Sequence, residues 1–338
     1  MARLRIVAAG PGATIQDAGR FGFQRFGVTP AGPMDFSAYA AVAAMLGGGP
    51  RDAAIEIALG GLSVAAEGGA LTLAYAGGAF DWRRGGETPP AAARLTLREG
   101  EVLSARPGAS GAWSYLGVAG GFDVPLALGS RATHLRSSLG GLDGRMLRAG
   151  DALEVLEDQP ALDEAELAAP FLAPGSRAPI RVLPGPQDDY FSPAALETFF
   201  SGVYELTPRA DRMAYAFRGP AIEHARGFNI VSDGLAQGAV QIAGDGQPLV
   251  LTADRQPTGG YPKLGHVIFA DLGRLAQLRP GETARFARAT LEEALAARRT
   301  LLEEIAAAPS FLRPLTRKAT TARLLGVNLI DGVVDALE

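Results

Sequence analysis

Three stretches of this chain combine dense Gly or Pro with polar side chains that can do chemistry. The first runs from Pro11 to Asp35 and holds Gln16, Asp17 and Arg20 in one turn-rich segment. Gln16 and Asp17 could hydrogen-bond a substrate amide, and Arg20 could clamp a carboxylate with two parallel N–H donors. Alternatively Asp17 and Arg20 pair with each other and cap the backbone of a long turn. The second stretch is Pro208 to Met213, followed by Ser232-Asp233-Gly234. An Asp211-Arg212 pair at a turn can anchor an anion. Strand neighbours face opposite sides, so only one of the two can face a site, and a structural use is the other reading. The third stretch carries Gln241, then Gly246-Gln247-Pro248, then Asp254 to Lys263. An apolar strand over 249–253 ends at Asp254, and Gly259 and Gly260 follow. Adjacent glycines let backbone N–H groups converge on an oxyanion or phosphate. Lys263 and Lys318 are the only lysines among 32 basic residues, and Lys263 would add a point charge for such an anion. A hairpin loop needing two flexible residues, with Lys263 in solvent, is the alternative.

Composition narrows the chemistry. The formal net charge is −4 with no basic run, which argues against nucleic acid, whose phosphates need clustered Lys and Arg. Cysteine is absent, which removes disulfides, zinc thiolates, iron–sulfur clusters and a Cys nucleophile. His134, His224 and His266 are too scattered for a His-rich metal centre, although Mg²⁺ held through substrate phosphates stays open. His134 itself reads as a capping or surface residue. No P-loop, nucleophile elbow, kinase set or zinc-binding helix motif occurs. The N-terminus lacks a signal-peptide core and no window is long and apolar enough to span a bilayer, so the expectation is a cytoplasmic protein with no membrane contact.

The elements that would position these residues are mostly strands. The 338 residues suggest about two domains, and 44 Gly with 23 Pro punctuate short apolar runs such as 54–58, 71–76, 115–119, 240–242 and 249–252. That is the pattern of many short strands and tight turns. One turn recurs three times, as Leu97-Arg-Glu-Gly-Glu101, Leu147-Arg-Ala-Gly-Asp151 and Leu278-Arg-Pro-Gly-Glu282. Residues 3–11 and 180–186 also look alike. A weak internal duplication fits these pairs, and so does chance similarity among turns. The acidic, Ala-rich segment 158–176 marks a boundary containing one helical turn. The expected domains are 1–170, 178–288, and 289–338 as a C-terminal helix and tail. Helices are expected over 35–46 with Asp35 as N-cap, over 192–200 opening on Ser-Pro, and over 290–308. In the last, Thr290 and Glu293 form a capping box, and Leu291, Leu295, Leu301, Leu302 and Ile305 make an apolar stripe. The tail beyond Pro309 should pack on a neighbouring surface, in the same chain or another.

Together these stretches resemble one family. The residues that carry the resemblance are Thr14, Gln16, Asp17, Gly19, Arg20, Gly27-Val28, Gly32, Met34-Asp35, Glu56-Ile57, Tyr115-Leu116, Gly120-Gly121, Gly129-Ser130, Gly140-Gly141, Gly144-Arg145 and Gly150-Asp151. Later come Pro184-Gly185-Pro186, Asp211-Arg212-Met213, Gly238, Gln241, Gly246-Gln247-Pro248 and Thr258-Gly259-Gly260-Tyr261-Pro262. The family is the C subunit of 5-oxoprolinase, also called KipA or allophanate hydrolase subunit 2, which is similar to the carboxyltransferase region of urea carboxylase. The resemblance covers roughly residues 4 to 300. It implies a mainly β fold of two cyclophilin-like β-barrels with a few short helices, and partners similar to the A subunit and the KipI-like B subunit of that enzyme. It also implies ATP with Mg, shared with a partner, driving hydrolysis of 5-oxo-L-proline to L-glutamate. On this reading Lys263, Asp254 and Gln256 are catalytic. Gln16, Asp17, Arg20, Arg212, Gln241, Thr258, Gly259, Gly260 and Tyr261 bind substrate, no metal is held by the chain itself, and a homo-oligomer stays open. Ala214 and Pro257 depart from the family's usual Gly and Thr, which bears on the substrate. Two other functions remain: a biotin-dependent carboxyltransferase acting on urea or a similar amide, and a regulator that sequesters a KipI-like kinase inhibitor. Neither lysine lies in a biotin-acceptor context, so biotin would sit on a separate carrier.

Overall fold

The computed structural model describes residues 2–49, 52–156, 162–172 and 175–315. The fold is mainly β, built on two large sheets. Ten strands form the first sheet. Nine come from the segment between Arg3–Ala9 and Ala165–Leu167, and the tenth is the late strand Leu312–Pro314. Eight strands between Ile180–Pro184 and Phe286–Arg288 form the second. Its two end strands, Thr283–Ala284 and Phe286–Arg288, are separated by Arg285 alone. They pair with Tyr204–Ala210 and Ile180–Pro184 respectively, which brings the sheet round into a barrel.

The first sheet wraps its own core of Leu4, Ile6, Ile55, Leu73, Tyr75, Trp82, Leu95 and Leu116. Trp82 stacks on Tyr75 at 3.8 Å between ring centroids. The longest pair, Leu71–Arg84 with Val102–Val118, changes register around Gly77 and Ala79, and these bulges bend the ribbon. The second barrel is filled by aromatic rings, with Phe199 stacked on Phe286 at 4.8 Å. Each β-rich core follows from apolar residues alternating along short strands.

Helices α1 (Phe36–Met45), α2 (Pro193–Ser201), α3 (Phe269–Ala276) and α4 (Leu291–Ala306) complete the fold. Three start where their capping residues stand. The Asp35 side chain accepts from Ala38 N–H, Ser192 from Ala195 N–H, and Thr290 with Glu293 closes a capping box. The sequence reading did not foresee α3, whose N-cap Ile268 offers no side-chain acceptor. The expected apolar stripe of α4 is corrected: only Leu301 is buried, whereas Leu291, Leu295 and Leu302 are exposed. α4 contacts α1 and α3, and Leu301 is the residue it buries. Within 158–176 no helix forms among the described residues, and part of that segment lies outside them; Ala165–Leu167 is a strand pairing with Ala93, Arg94 and Leu312–Pro314. That pairing returns the start of the tail to the first sheet; residues 316–338 lie outside the described residues.

The recurring turn has one geometry at all three places. Arg98, Arg148 and Arg279 each donate their backbone N–H to the acidic side chain three residues on, at 2.8–2.9 Å. The backbone closes back from Glu101, Asp151 and Glu282 to the same arginine carbonyls. The intervening Gly takes φ of 78–92°, the conformation an i+2 glycine adopts at low cost. No helix among the described residues is long and apolar enough to cross a membrane.

Candidate functional site

The two barrels meet around a buried guanidinium. Arg212 sits in the turn joining Tyr204–Ala210 to Ala214–Arg218 and is 6% exposed. Its Nε and Nη2 donate to Asp254 Oδ2 and Oδ1 at 2.9 and 2.7 Å, a bidentate pair. Its Nη1 reaches Glu56 of the first sheet, and Nη2 also donates to the Gly32 carbonyl at 2.9 Å. Glu56 is fully buried and accepts from Met34 N–H at 2.8 Å and from the Tyr115 hydroxyl at 2.7 Å. Burial pushes the Glu56 carboxyl above its ordinary range, and this outweighs Arg212, Met34 and Tyr115, which pull the other way. Burial also works against the Arg212 charge, but Asp254 and Glu56 prevail and hold it firmly protonated.

Further contacts fix the barrels against each other. Gln277, which ends α3, accepts from Ala112 and Trp113 N–H at 2.8 and 3.1 Å and donates to Asp35 and to the Trp113 carbonyl. Trp113 Nε1 donates to the Tyr215 hydroxyl at 2.9 Å, which donates to the Ala276 carbonyl. Nearby, Ser137 N–H donates to His134 Nδ1, so the ring proton lies on Nε2 and points to Thr29 Oγ1 at 3.0 Å. Thr29 in turn donates to the Arg255 carbonyl. Burial lowers the His134 pKa, in keeping with this neutral tautomer. His134 is thus a capping residue, as expected, but a buried one.

A cavity of about 710 Å³ opens between the barrels beside this cluster. Pro11, Leu59, Trp113, Leu135, Met146, Met213 and Tyr215 supply most of its wall. The charged side chains on it are Arg136, Asp211, Arg212 and Asp254. Its size is that of sites which take small organic ligands.

The sequence-selected residues fall into separate groups. Asp254 and Arg212 line the cavity. Asp211 faces solvent and accepts from Met213 and Ala214 N–H within its own turn. Gln16, Asp17 and Arg20 do not line this cavity and are buried in protein contacts. Gln16 binds Gly32 N–H, Thr14 Oγ1 and the Thr133 carbonyl. Asp17 accepts from Gly19 N–H, Ser130 Oγ and Arg131 N–H, and Arg20 donates to the carbonyls of Ala127 and Ala132. Asp17 and Arg20 share no hydrogen bond among the described residues; each instead ties its turn to the 127–132 loop.

No residue of the Thr258–Lys263 segment lines this cavity. Thr258–Gly259 pairs with Asp233–Gly234 as a two-stranded ribbon. Gln241, itself buried, donates to the Tyr261 carbonyl at 3.1 Å. Neither Gly259 nor Gly260 takes positive φ. The alternating left-handed geometry of an anion-binding backbone nest is therefore not formed there. Gly259 instead packs closely, since an added Cβ would lie 2.8 Å from Gln241 Nε2 and the side chain there would have to shift. Lys263 is not in solvent. Its Nζ is buried against Asp233 Oδ2 at 2.5 Å and the Gly234 carbonyl at 3.2 Å. Gln256, Thr258 and Tyr261 are exposed. Gln24 links the first barrel to this region by donating to the carbonyls of Leu235 and Pro257. A triphosphate cradle does not fit these residues, because the one lysine is neutralised and the glycines do not form a nest. No cluster of three or more His, Asp or Glu suited to a metal occurs among the described residues.

Sequence reasoning did not pick out Glu56, Tyr115, Gln277, Thr29 or Arg136 as site residues. Glu56 carried a signal, a single charge inside the apolar run 53–58.

Comparison with known proteins adds the following. A family described as the carboxyltransferase domain, subdomain A and B, matches residues 26–288. The chain is 37% identical over 287 residues to the C subunit of 5-oxoprolinase from Haemophilus influenzae, covering 85% of this chain and 91% of that protein. It is 36% identical over 295 residues to the C subunit of Escherichia coli 5-oxoprolinase, covering 87% and 94%. Among solved structures, K. lactis urea amidolyase superposes with a TM-score of 0.83 at 27% identity; the match spans 92% of this chain but 21% of that one.

Proposed function

The chain belongs to the carboxyltransferase-domain family that spans subdomains A and B, and from that membership we propose that it is one subunit of a cytoplasmic, ATP-dependent 5-oxoprolinase. The observation that carries this reading is the extent of the match. The chain spans over nine-tenths of each bacterial 5-oxoprolinase relative, but about a fifth of the urea amidolyase chain.

In the proposed reaction the lactam C–N bond of 5-oxo-L-proline breaks. One water delivers oxygen to the carbonyl carbon, the nitrogen leaves as the amine of L-glutamate, and a second water is consumed as ATP goes to ADP and phosphate. The inter-barrel cavity is the proposed place of the amide, with Asp254 acting there and Arg212 orienting it by two hydrogen bonds. Gln16, Asp17 and Arg20 then act at one remove, by fixing the loops around the site. Gln256, Thr258, Gly259, Gly260 and Tyr261 form a largely exposed loop, backed by Gln241 and by the Lys263–Asp233 pair. We assign that loop to substrate or nucleotide delivered by a partner, with ATP and Mg held mainly on homologues of the A and B subunits, since no phosphate cradle is built here.

The family description and the urea amidolyase superposition favour one second reading, transfer of a carboxyl group to or from an amide, with biotin on a separate carrier. Purifying the chain with a co-expressed KipI-like partner, adding the A subunit, and assaying 5-oxoproline cleavage with and without ATP tests the first. Glutamate release that needs ATP and all three chains is the expected result. No release, with carboxylation of urea by a biotinylated carrier instead, would move the assignment to the second reading.

A further inference from the structure

The cavity between the barrels carries four charged side chains, and three of them are already satisfied. Arg212 and Asp254 neutralise each other through two hydrogen bonds. Asp211 accepts from two N–H groups of its own turn. Arg136 is different. It is exposed, lies on the cavity wall, and has neither a hydrogen bond nor an ion pair among the described residues. Its backbone is nonetheless well held. Residues Leu135–Ser137 form one 3-10 turn capped by His134, which is buried and hydrogen-bonded to Thr29. A guanidinium on a fixed backbone, with all five donors free, on a mostly apolar cavity where Arg212 and Asp254 offset each other and Asp211 is held in its own turn, is suited to a planar anion entering with an apolar or amide body.

We propose that Arg136 is the specificity-determining residue of this cavity, binding the carboxylate of an amido acid while the amide lies toward Arg212 and Asp254. This rests on the 5-oxoprolinase reading and deepens it. It selects lactam acids over neutral amides such as urea, because a neutral amide offers the guanidinium no charge partner. Asp211, which also lines the cavity, disfavours a carboxylate beside it, so the anion is favoured next to Arg136.

Two measurements test this, and they fail independently of the functional reading. In the first, the isolated full chain is titrated with 5-oxoproline and with 2-pyrrolidinone, the same lactam without the carboxylate. Intrinsic fluorescence reports occupancy, because Trp113 lines the cavity whereas the other tryptophan, Trp82, is buried in the first core. In the second, KM and kcat are measured in the reconstituted complex. Arg136→Gln should weaken 5-oxoproline binding and raise its KM by about 10- to 100-fold, the loss expected for charge-assisted hydrogen bonds. It should leave kcat within about twofold and 2-pyrrolidinone affinity unchanged, and Arg136→Lys should recover part of the loss. Equal effects on the two lactams, an unchanged KM in an active complex, or a loss confined to kcat would each overturn the proposal. A wild-type complex that binds 5-oxoproline through Arg136 but never cleaves it would overturn the functional reading and leave the anion site standing.

Discussion

Replacing Arg212 by Met keeps most of the side-chain volume and removes one positive charge from between two carboxylates. Four hydrogen bonds go with it: two to Asp254, one to Glu56 and one to the Gly32 carbonyl. Both carboxylates are then left with at most 3% exposure and no counter-charge. Breaking a buried ion pair by removing one partner costs about 3–5 kcal/mol. At roughly 2 °C per kcal/mol for a chain of this size, the thermal midpoint should fall by about 6–10 °C. The loss should also depend on pH in one direction. Glu56 already has a raised pKa because burial outweighs Arg212, Met34 and Tyr115, and removing Arg212 raises it further. A carboxyl whose folded pKa lies above its unfolded value of about 4.3 stabilises fully below that value, and the contribution is lost as pH rises through the folded pKa. The deficit of Arg212→Met should therefore be largest at neutral pH and shrink as pH falls toward about 5. Thermal unfolding of both proteins from acidic to neutral pH measures it. A deficit under about 1 kcal/mol, or one that grows on acidification, would refute the idea that this triad is a charged lock. Adding Glu56→Gln and Asp254→Asn to the variant should return part of the loss at neutral pH.

Gln277→Leu removes four hydrogen bonds to Ala112, Trp113 and Asp35 and should cost about 2–4 kcal/mol, since buried backbone groups lose their partners; faster amide exchange at Ala112 and Trp113 would check it. Gly111→Ala should damage the same contact, because Gly111 has φ of 79° and a Cβ there would lie 2.7 Å from Gln277 Oε1 and 2.5 Å from Gly78 Cα; a lowered thermal midpoint is the readout. Lys263→Ala should leave the fold intact, as half-exposed Asp233 can be solvated, yet lower ATP-dependent turnover of the assembled complex at least about tenfold. Full turnover in that variant would end any catalytic assignment for Lys263.

Much of the scaffold was readable because its signals are local. Asp35, Ser192 and Thr290 cap helices within their own turns, and the Arg-x-Gly-acid turn closes over four residues. What could not be read depends on distant partners. Apolar spacing identified α4 as a helix, but which face is covered is decided by α1 and α3, and the leucines at 291, 295 and 302 lie on the open side. The scarcity of lysine drew attention to Lys263, yet its direction is set by the strand Lys263–Val267, which turns it inward toward Asp233. The Gly259-Gly260 pair suggested flexibility, whereas Gly259 packs closely on the side chains of Gln241 and Leu235. Arg212 was visible as a candidate, but Glu56, 156 residues away in sequence, was not visible as its partner.

That long-range pairing says how the cavity is built. Each barrel contributes a carboxylate to the same guanidinium, Glu56 from the first sheet and Asp254 from the second barrel. Separating the barrels would leave Glu56 without its counter-charge and Gln277 without four partners, so docking is enforced by polar groups that cannot be left dry and unpaired. An interface fixed in this way gives a cavity of constant shape, with Arg212 and Asp254 held on its wall. Opening and closing by movement of one barrel against the other would break the lock each time, at a cost comparable to the stability of a domain. Closure around a substrate therefore has to come from exposed side chains at the rim or from a partner chain laid across it. That makes turnover by the chain alone the observation most damaging to a multi-subunit function.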